Sequence, residues 1–123
     1  MTENEISYKV RGIIFDIYNK LGSGLYESVY EEILAFELSK TNLNYSRQKA
    51  LPVIWEDLKM DHGFRTDIIV ENKIIIEIKS IELIANVHYK QLLTYLKVSN
   101  LKLGLLVNFN SDPLFIKRIV NNL

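Results

Sequence analysis

Two carboxylates and a lysine stand close together in the middle of the chain, Asp67 and then Glu77-Ile78-Lys79. A three-residue loop at Glu71-Asn72-Lys73, a common hairpin length, pairs Val70 with Ile74 and carries the count back to Asp67 opposite Glu77. Strand alternation then gathers Arg65, Asp67, Ile69, Ile75, Glu77 and Lys79 on one face and leaves Thr66, Ile68, Val70, Ile74, Ile76 and Ile78 on the other. A two-residue loop would shift the parity and separate the acids. Directly opposed carboxylates destabilise a ladder unless something cationic lies between them. A divalent cation with a preference for oxygen, Mg²⁺ or Mn²⁺, suits the pair, because hard cations take one or two carboxylates together with water and phosphate oxygens. Lys79 would project into the same site, where an ammonium orients a water and stabilises charge developing on a phosphate. Spacing leaves a second reading equally open, a salt-bridge cluster in which Lys79 simply neutralises Asp67 and Glu77.

Other polar residues gather less decisively. Glu27 sits at the margin of the apolar stripe of an expected helix, which draws it toward the protein, although an acid in a first turn is also favoured by the helix dipole. Tyr30, one turn on, reads as a core aromatic with a wet hydroxyl rather than a catalytic group. Further along, His88, Gln91 and Tyr95 fall at i, i+3 and i+7 of another helix and share a polar stripe. From there a glutamine amide can hold a phosphate or a water, or it can simply face solvent. His88 has no second histidine nearby to make a metal pair, and His62 sits in a turn-like Asp61-His62-Gly63.

The elements that must position these residues follow from periodicity. Ile6, Val10, Ile13, Ile14, Ile17 and Leu21 recur every three or four positions and predict a first helix, opened by a Thr2/Glu5 capping box and stopped at Gly22-Ser23-Gly24. Ser23 is the expected cap of a second helix over 25–40, burying Leu25, Tyr26, Val29, Tyr30, Ile33 and Leu34. From 45 to 79 the pattern turns to strands: Leu51-Pro52-Val53-Ile54-Trp55, a turn near Glu56-Asp57-Leu58, a run over 64–70, and a run over 74–79. A third helix over 85–98, with apolar Val87, Leu92, Tyr95 and Leu96, precedes a buried strand over 101–109. The segment 113–120 is open between strand and helix. A helix between two strands usually returns the chain in parallel, so the order implies one α/β or α+β domain, spanning 1–123, with a central mixed sheet flanked by helices.

Composition removes several classes. With 123 residues, 48% of them apolar, the chain is long enough for one core and too hydrophobic for disorder. It has no cysteine, hence no disulfide framework and no thiolate zinc site. No basic amino terminus runs into an apolar stretch and no segment is apolar for long enough to span a bilayer, so the expected address is the cytoplasm, off the membrane. The net charge is zero, but residues 1–82 hold fourteen acids against ten bases, and residues 83–123 hold Asp112 against Lys90, Lys97, Lys102, Lys117 and Arg118. A basic part suits an anionic partner or a solvated face.

These residues together resemble a known family. Gly24-Leu25-Tyr26-Glu27-Ser28-Val29-Tyr30 matches the motif of the GxxExxY proteins, a branch of the PD-(D/E)XK nuclease superfamily. Arg65-Thr66-Asp67, Glu77-Ile78-Lys79, the stretch from His88 to Leu96 and the stretch from Leu103 to Phe109 are similar to the rest of that pattern, in order. Thr66 stands where the superfamily signature has proline. The resemblance implies a restriction-endonuclease-like core and a metal-dependent phosphodiesterase acting on nucleic acid, DNA before RNA. It implies Mg²⁺ or Mn²⁺ held by Asp67, Glu77, the Ile78 carbonyl and Glu27. It further implies Lys79 as catalytic lysine and Gln91 as the residue that aligns the phosphate; Tyr30, Arg65 and Lys90 are the candidate substrate contacts around that site. Two alternatives stay open on the same fold: a catalytically silent nucleic-acid or protein binding module, and a homodimeric nuclease that resolves branched DNA.

Overall fold

The computed structural model describes residues 1–123, the side chain of His62 excepted. In chain order the elements are α1 (Glu3–Leu21), α2 (Glu27–Ser39), β1 (Tyr45–Trp55), β2 (Leu58–Val70), β3 (Ile74–Lys79), α3 (Asn86–Ser99), β4 (Leu103–Asn108) and β5 (Phe115–Val120). The five strands form one sheet in sequence order, with β3 and β4 parallel across the α3 crossover and every other pair antiparallel. This is the mixed, helix-flanked sheet of a restriction-endonuclease-like α+β fold, as expected. Among the described residues no helix is long and apolar enough to cross a membrane.

Two cores sandwich the sheet. On one face Ile6, Val10, Ile14 and Ile17 of α1 and Tyr30, Leu34 and Leu38 of α2 pack on Ile68, Val70, Ile74, Ile76 and Ile78. On the other, Leu92 and Leu96 of α3 pack on Ile69, Ile75 and Leu106, and α3 comes in close because Gly104 carries no side chain beneath Leu92. Ile74, Ile75, Ile76 and Ile78 are each at most 1% exposed. Burial of each contributes about 1.5–3 kcal/mol. A one-residue slip of β3 would exchange its two faces, so this burial locks the register that the polar residues inherit.

The structure corrects several expected boundaries. The Thr2/Glu5 capping box forms as read, but α2 begins at Glu27 with Tyr26 as its cap, not Ser23. Gly22 and Gly24 hold φ of 70° and 109°, and this left-handed backbone carries the loop past Ser23 before a helix can start. Leu25 and Tyr26 therefore lie in the loop and are exposed, as are Val29, Leu21 and Val87, all expected in the core. The first hairpin reaches much further than its apolar residues suggest, because Tyr45 to Ala50 of β1 is a polar, largely exposed edge that pairs with β2 all the same. Asp61-His62-Gly63 is not a turn: it lies within β2, where the pairing slips opposite Pro52, which has no N–H to give. A Cβ at Gly63 would run into the Leu51 carbonyl. The expectation placed on His62 itself concerns a side chain outside the described residues. The ambiguous tail is strand β5.

Candidate active site

The β2–β3 loop has the three residues expected, with Glu71 and Asn72 both left-handed, at φ 55° and 53°, and Lys73 N–H closing the turn on the Val70 carbonyl at 3.0 Å. Val70, Ile69 and Ile68 pair with Ile74, Ile75 and Ile76, and there the ladder ends. At the next position the strands part. The Asp67 carboxylate fills the gap, its Oδ2 accepting the Ile78 N–H at 2.7 Å in place of a main-chain partner. Glu77 follows the same parity onto the α3 side of the sheet, and its Oε1 is buried without a hydrogen-bond partner.

The electrostatics record how crowded this corner is. Burial pushes the Glu77 carboxyl up to about 8, with the Asp67 charge adding to the rise, the Lys79 ammonium opposing it and Glu27 contributing a further upward push. Asp67 is raised as well, mainly by burial and secondarily by Glu31, against the Ile78 N–H, Gln48 and Lys79, which hold it down. For each acid the loss of water on burial thus outweighs the Lys79 charge. Tyr95 of α3 faces the same corner: its hydroxyl is pushed up by burial and then by Glu77 and Asp67, with the Gln91 amide alongside counteracting, and its ring stacks on Phe64 at 3.8 Å.

Glu27, at the first residue of α2, is exposed, and its Oε2 accepts the Ser80 N–H at 3.1 Å while Ser80 Oγ donates to the Leu25 carbonyl at 2.6 Å. These two bonds stitch the start of α2 to the end of β3, just beyond Lys79. Among the described residues no three acid, histidine or cysteine side chains converge on one point. The other expected contacts divide. Gln91 and Lys90 are exposed on α3, and Arg65 is exposed with its Nη1 donating to the Gln48 carbonyl at 2.7 Å. Tyr30 is corrected as a substrate contact: it is fully buried and stacked on Phe109 at 4.2 Å. Its hydroxyl donates to the Gly22 carbonyl and accepts the Leu25 N–H, so it pins the loop before α2 and offers no surface to a ligand. His88 caps α3 locally, its Nδ1 accepting the Ala85 N–H at 2.9 Å.

Three residues near the acids escaped the sequence reading. Glu31, one turn after Glu27, is 7% exposed and ion-paired to Arg47 at 3.0 Å. Gln48 donates to Glu31 at 2.7 Å and to Asp67 at 3.3 Å. The one available signal was the like-charged Glu27 and Glu31 at i, i+4, a spacing that is unfavourable unless a partner intervenes. Asn108, paired with Lys79 across β3 and β4, is fully buried and ties the loop after Lys79 through both the N–H and the carbonyl of Ile81.

A family model of the PD-(D/E)XK nuclease superfamily matches residues 4–119. The chain belongs to the PD-(D/E)XK nuclease superfamily. Thr66-Asp67 and Glu77-Ile78-Lys79, the stretches in which the sequence resembles the superfamily signature, lie where β2 and β3 separate, and Thr66 is buried. Among solved structures, the crystal structure of SSO0001 superimposes with a TM-score of 0.59 over 78% of this chain at 24% identity, which is a likeness of fold. The chain spans about half of that protein, 51% of its length. No curated protein matches the sequence. Superfamily members are usually nucleases that use divalent metals and bind nucleic acid.

Proposed function

We propose that this protein is an Mg²⁺- or Mn²⁺-dependent nuclease that hydrolyses phosphodiester bonds in nucleic acid, DNA in preference to RNA, and that it sits in the GxxExxY branch of the superfamily. The observation that carries the reading is the pair Asp67 and Glu77 at the parting of two strands, with a buried, partnerless Glu77 Oε1 and with the Lys79 charge holding both carboxyls down. The donor set fits a hard cation, being all oxygen and lacking positive charge. Asp67, Glu77 and the Ile78 carbonyl would hold it, joined by Glu27 once that side chain leaves Ser80. When bound, such an ion supplies positive charge to the scissile phosphate and makes a nearby water more acidic.

The remaining roles belong to this chain's own groups. Lys79, rooted in the last pair of the β3–β4 ladder, presents its ammonium where negative charge grows on the phosphate oxygens. Gln91 offers an amide from α3 to orient the phosphate or the attacking water. Arg65 and Lys90, both exposed on the rim, would contact the backbone of the nucleic acid and fix its position without reading sequence. Incubation of the full chain with plasmid, single-stranded and branched DNA, and with RNA, in Mg²⁺ or Mn²⁺ tests the proposal. Cleavage of DNA that disappears in chelator and in Asp67→Ala and Lys79→Ala is the expected result. Absence of cleavage in every form, with Mn²⁺ bound unchanged by Glu77→Ala, would replace it with a silent binding module.

A further inference from the structure

Gln48 is the residue in this corner whose conformation is hardest to explain by the fold alone. The β1–β2 ladder pairs Arg47 with Ile68 and Lys49 with Thr66, so Gln48 lies opposite Asp67, yet that pair is missing from the ladder. Its φ is 49°, in the left-handed region, inside an otherwise extended strand. A side chain larger than glycine is disfavoured there and persists only where its surroundings over-determine it. The surroundings do so from both ends. Arg65 Nη1 takes the Gln48 carbonyl at 2.7 Å, and the Gln48 amide nitrogen donates to Glu31 Oε1 at 2.7 Å and to Asp67 Oδ1 at 3.3 Å.

The chemistry of the amide suits this place. Glu31 and Asp67 are like charges brought toward each other from a helix and a strand, and a primary amide has two N–H groups splayed apart, one for each carboxylate. It separates them without adding charge, while Arg47 neutralises Glu31 from the other side at 3.0 Å. Asp67 is thereby held at both oxygens, Oδ2 by the Ile78 N–H and Oδ1 by Gln48, before any ion arrives. Each oxygen keeps a lone pair free. Outer partners that fix a ligand's orientation in this way govern affinity for the ion.

We propose that Gln48 is a positioning residue: its strained backbone exists to place one amide between Glu31 and Asp67, and that amide presets the Asp67 carboxylate for a divalent cation. The inference rests on the ion site proposed above. It is tested by calorimetric titration of the full chain with Mn²⁺, with thermal melting of each variant in chelator. Gln48→Gly removes the amide but accepts a φ of 49° without steric cost, so any change in its melting reports the lost amide and not a strained backbone. Gln48→Met keeps the length of the side chain and loses both donors. Both variants should bind Mn²⁺ about 10- to 100-fold more weakly. Wild-type Mn²⁺ affinity in a folded Gln48→Gly protein would overturn the inference and leave the ion site standing. So would a loss of affinity confined to Gln48→Met and matched by its loss of melting temperature. Absence of Mn²⁺ binding by the wild type, or binding that Glu77→Ala leaves unaltered, would remove the proposed function and this inference with it.

Discussion

Removing the charge of Glu77 should stabilise the protein when no metal is present, and by an amount that grows with pH. The Glu77 carboxyl has an ordinary value of 4.5 and is pushed to about 8 in the fold, chiefly by burial and next by Asp67. The folded protein thus holds this proton more tightly than the unfolded chain. Stability is fully present below the unfolded value, and it is lost as pH rises from there through the folded value. Each unit within that window costs about 1.4 kcal/mol, so an ideal group would remove about 3–4 kcal/mol between about pH 5 and about pH 8. Side-chain relaxation toward water reduces this. Asp67, also raised mainly by burial, pushes in the same direction. Glu77→Gln keeps the shape and abolishes the titration. Urea denaturation of both proteins in chelator across that pH range isolates Glu77 together with its coupling to Asp67, since groups that do not interact with Glu77 cancel in the difference. The variant should match the wild type near pH 5 and exceed it at pH 8. Mn²⁺, which binds the ionised carboxylates, should stabilise the wild type most at the alkaline end. A difference between the two proteins that stays flat with pH would refute the reasoning.

Other substitutions probe the surroundings of the site. Tyr30→Phe removes a buried hydroxyl bonded to Gly22 and Leu25 and should cost about 1–2 kcal/mol by denaturation, with substrate affinity unmoved; an altered KM at unchanged stability would restore Tyr30 as a substrate contact. Thr66 Oγ1 is buried without a partner, so Thr66→Val should raise stability by about 1 kcal/mol, and a clear drop in melting temperature would contradict that. Gly63→Ala drives a methyl group into the Leu51 carbonyl and should lose about 1–3 kcal/mol; a wild-type melting curve would mean that β2 crosses Pro52 differently.

Much of the site was legible because its central hairpin is local. A loop length and a period of two suffice to put Asp67, Glu77 and Lys79 on one face, and the buried isoleucines between them enforce that register. The start of α2 misled because Leu25 and Tyr26 carry apolar side chains that continue the helical stripe, whereas the glycines at 22 and 24 hold the backbone in a loop through them. Tyr30 shows the reverse case, a polar tip satisfied by the loop just before its own helix and therefore turned inward.

Periodicity and chain order alone determined the helices, the hairpin, the parallel crossover and the shared face of the three signature residues, since each depends on neighbours a few positions apart or on the handedness of a connection. Only the tertiary structure decided that Asp67 breaks the ladder to take the Ile78 N–H, that Glu27 is stitched to Ser80, and that Glu31 and Gln48 reach the acids from α2 and β1. These partners come from distant parts of the chain, and their pairing follows from the packing of a helix against a sheet. The same packing removes the water that would otherwise have screened the carboxylates, and that desolvation gives the corner its unmet demand for positive charge.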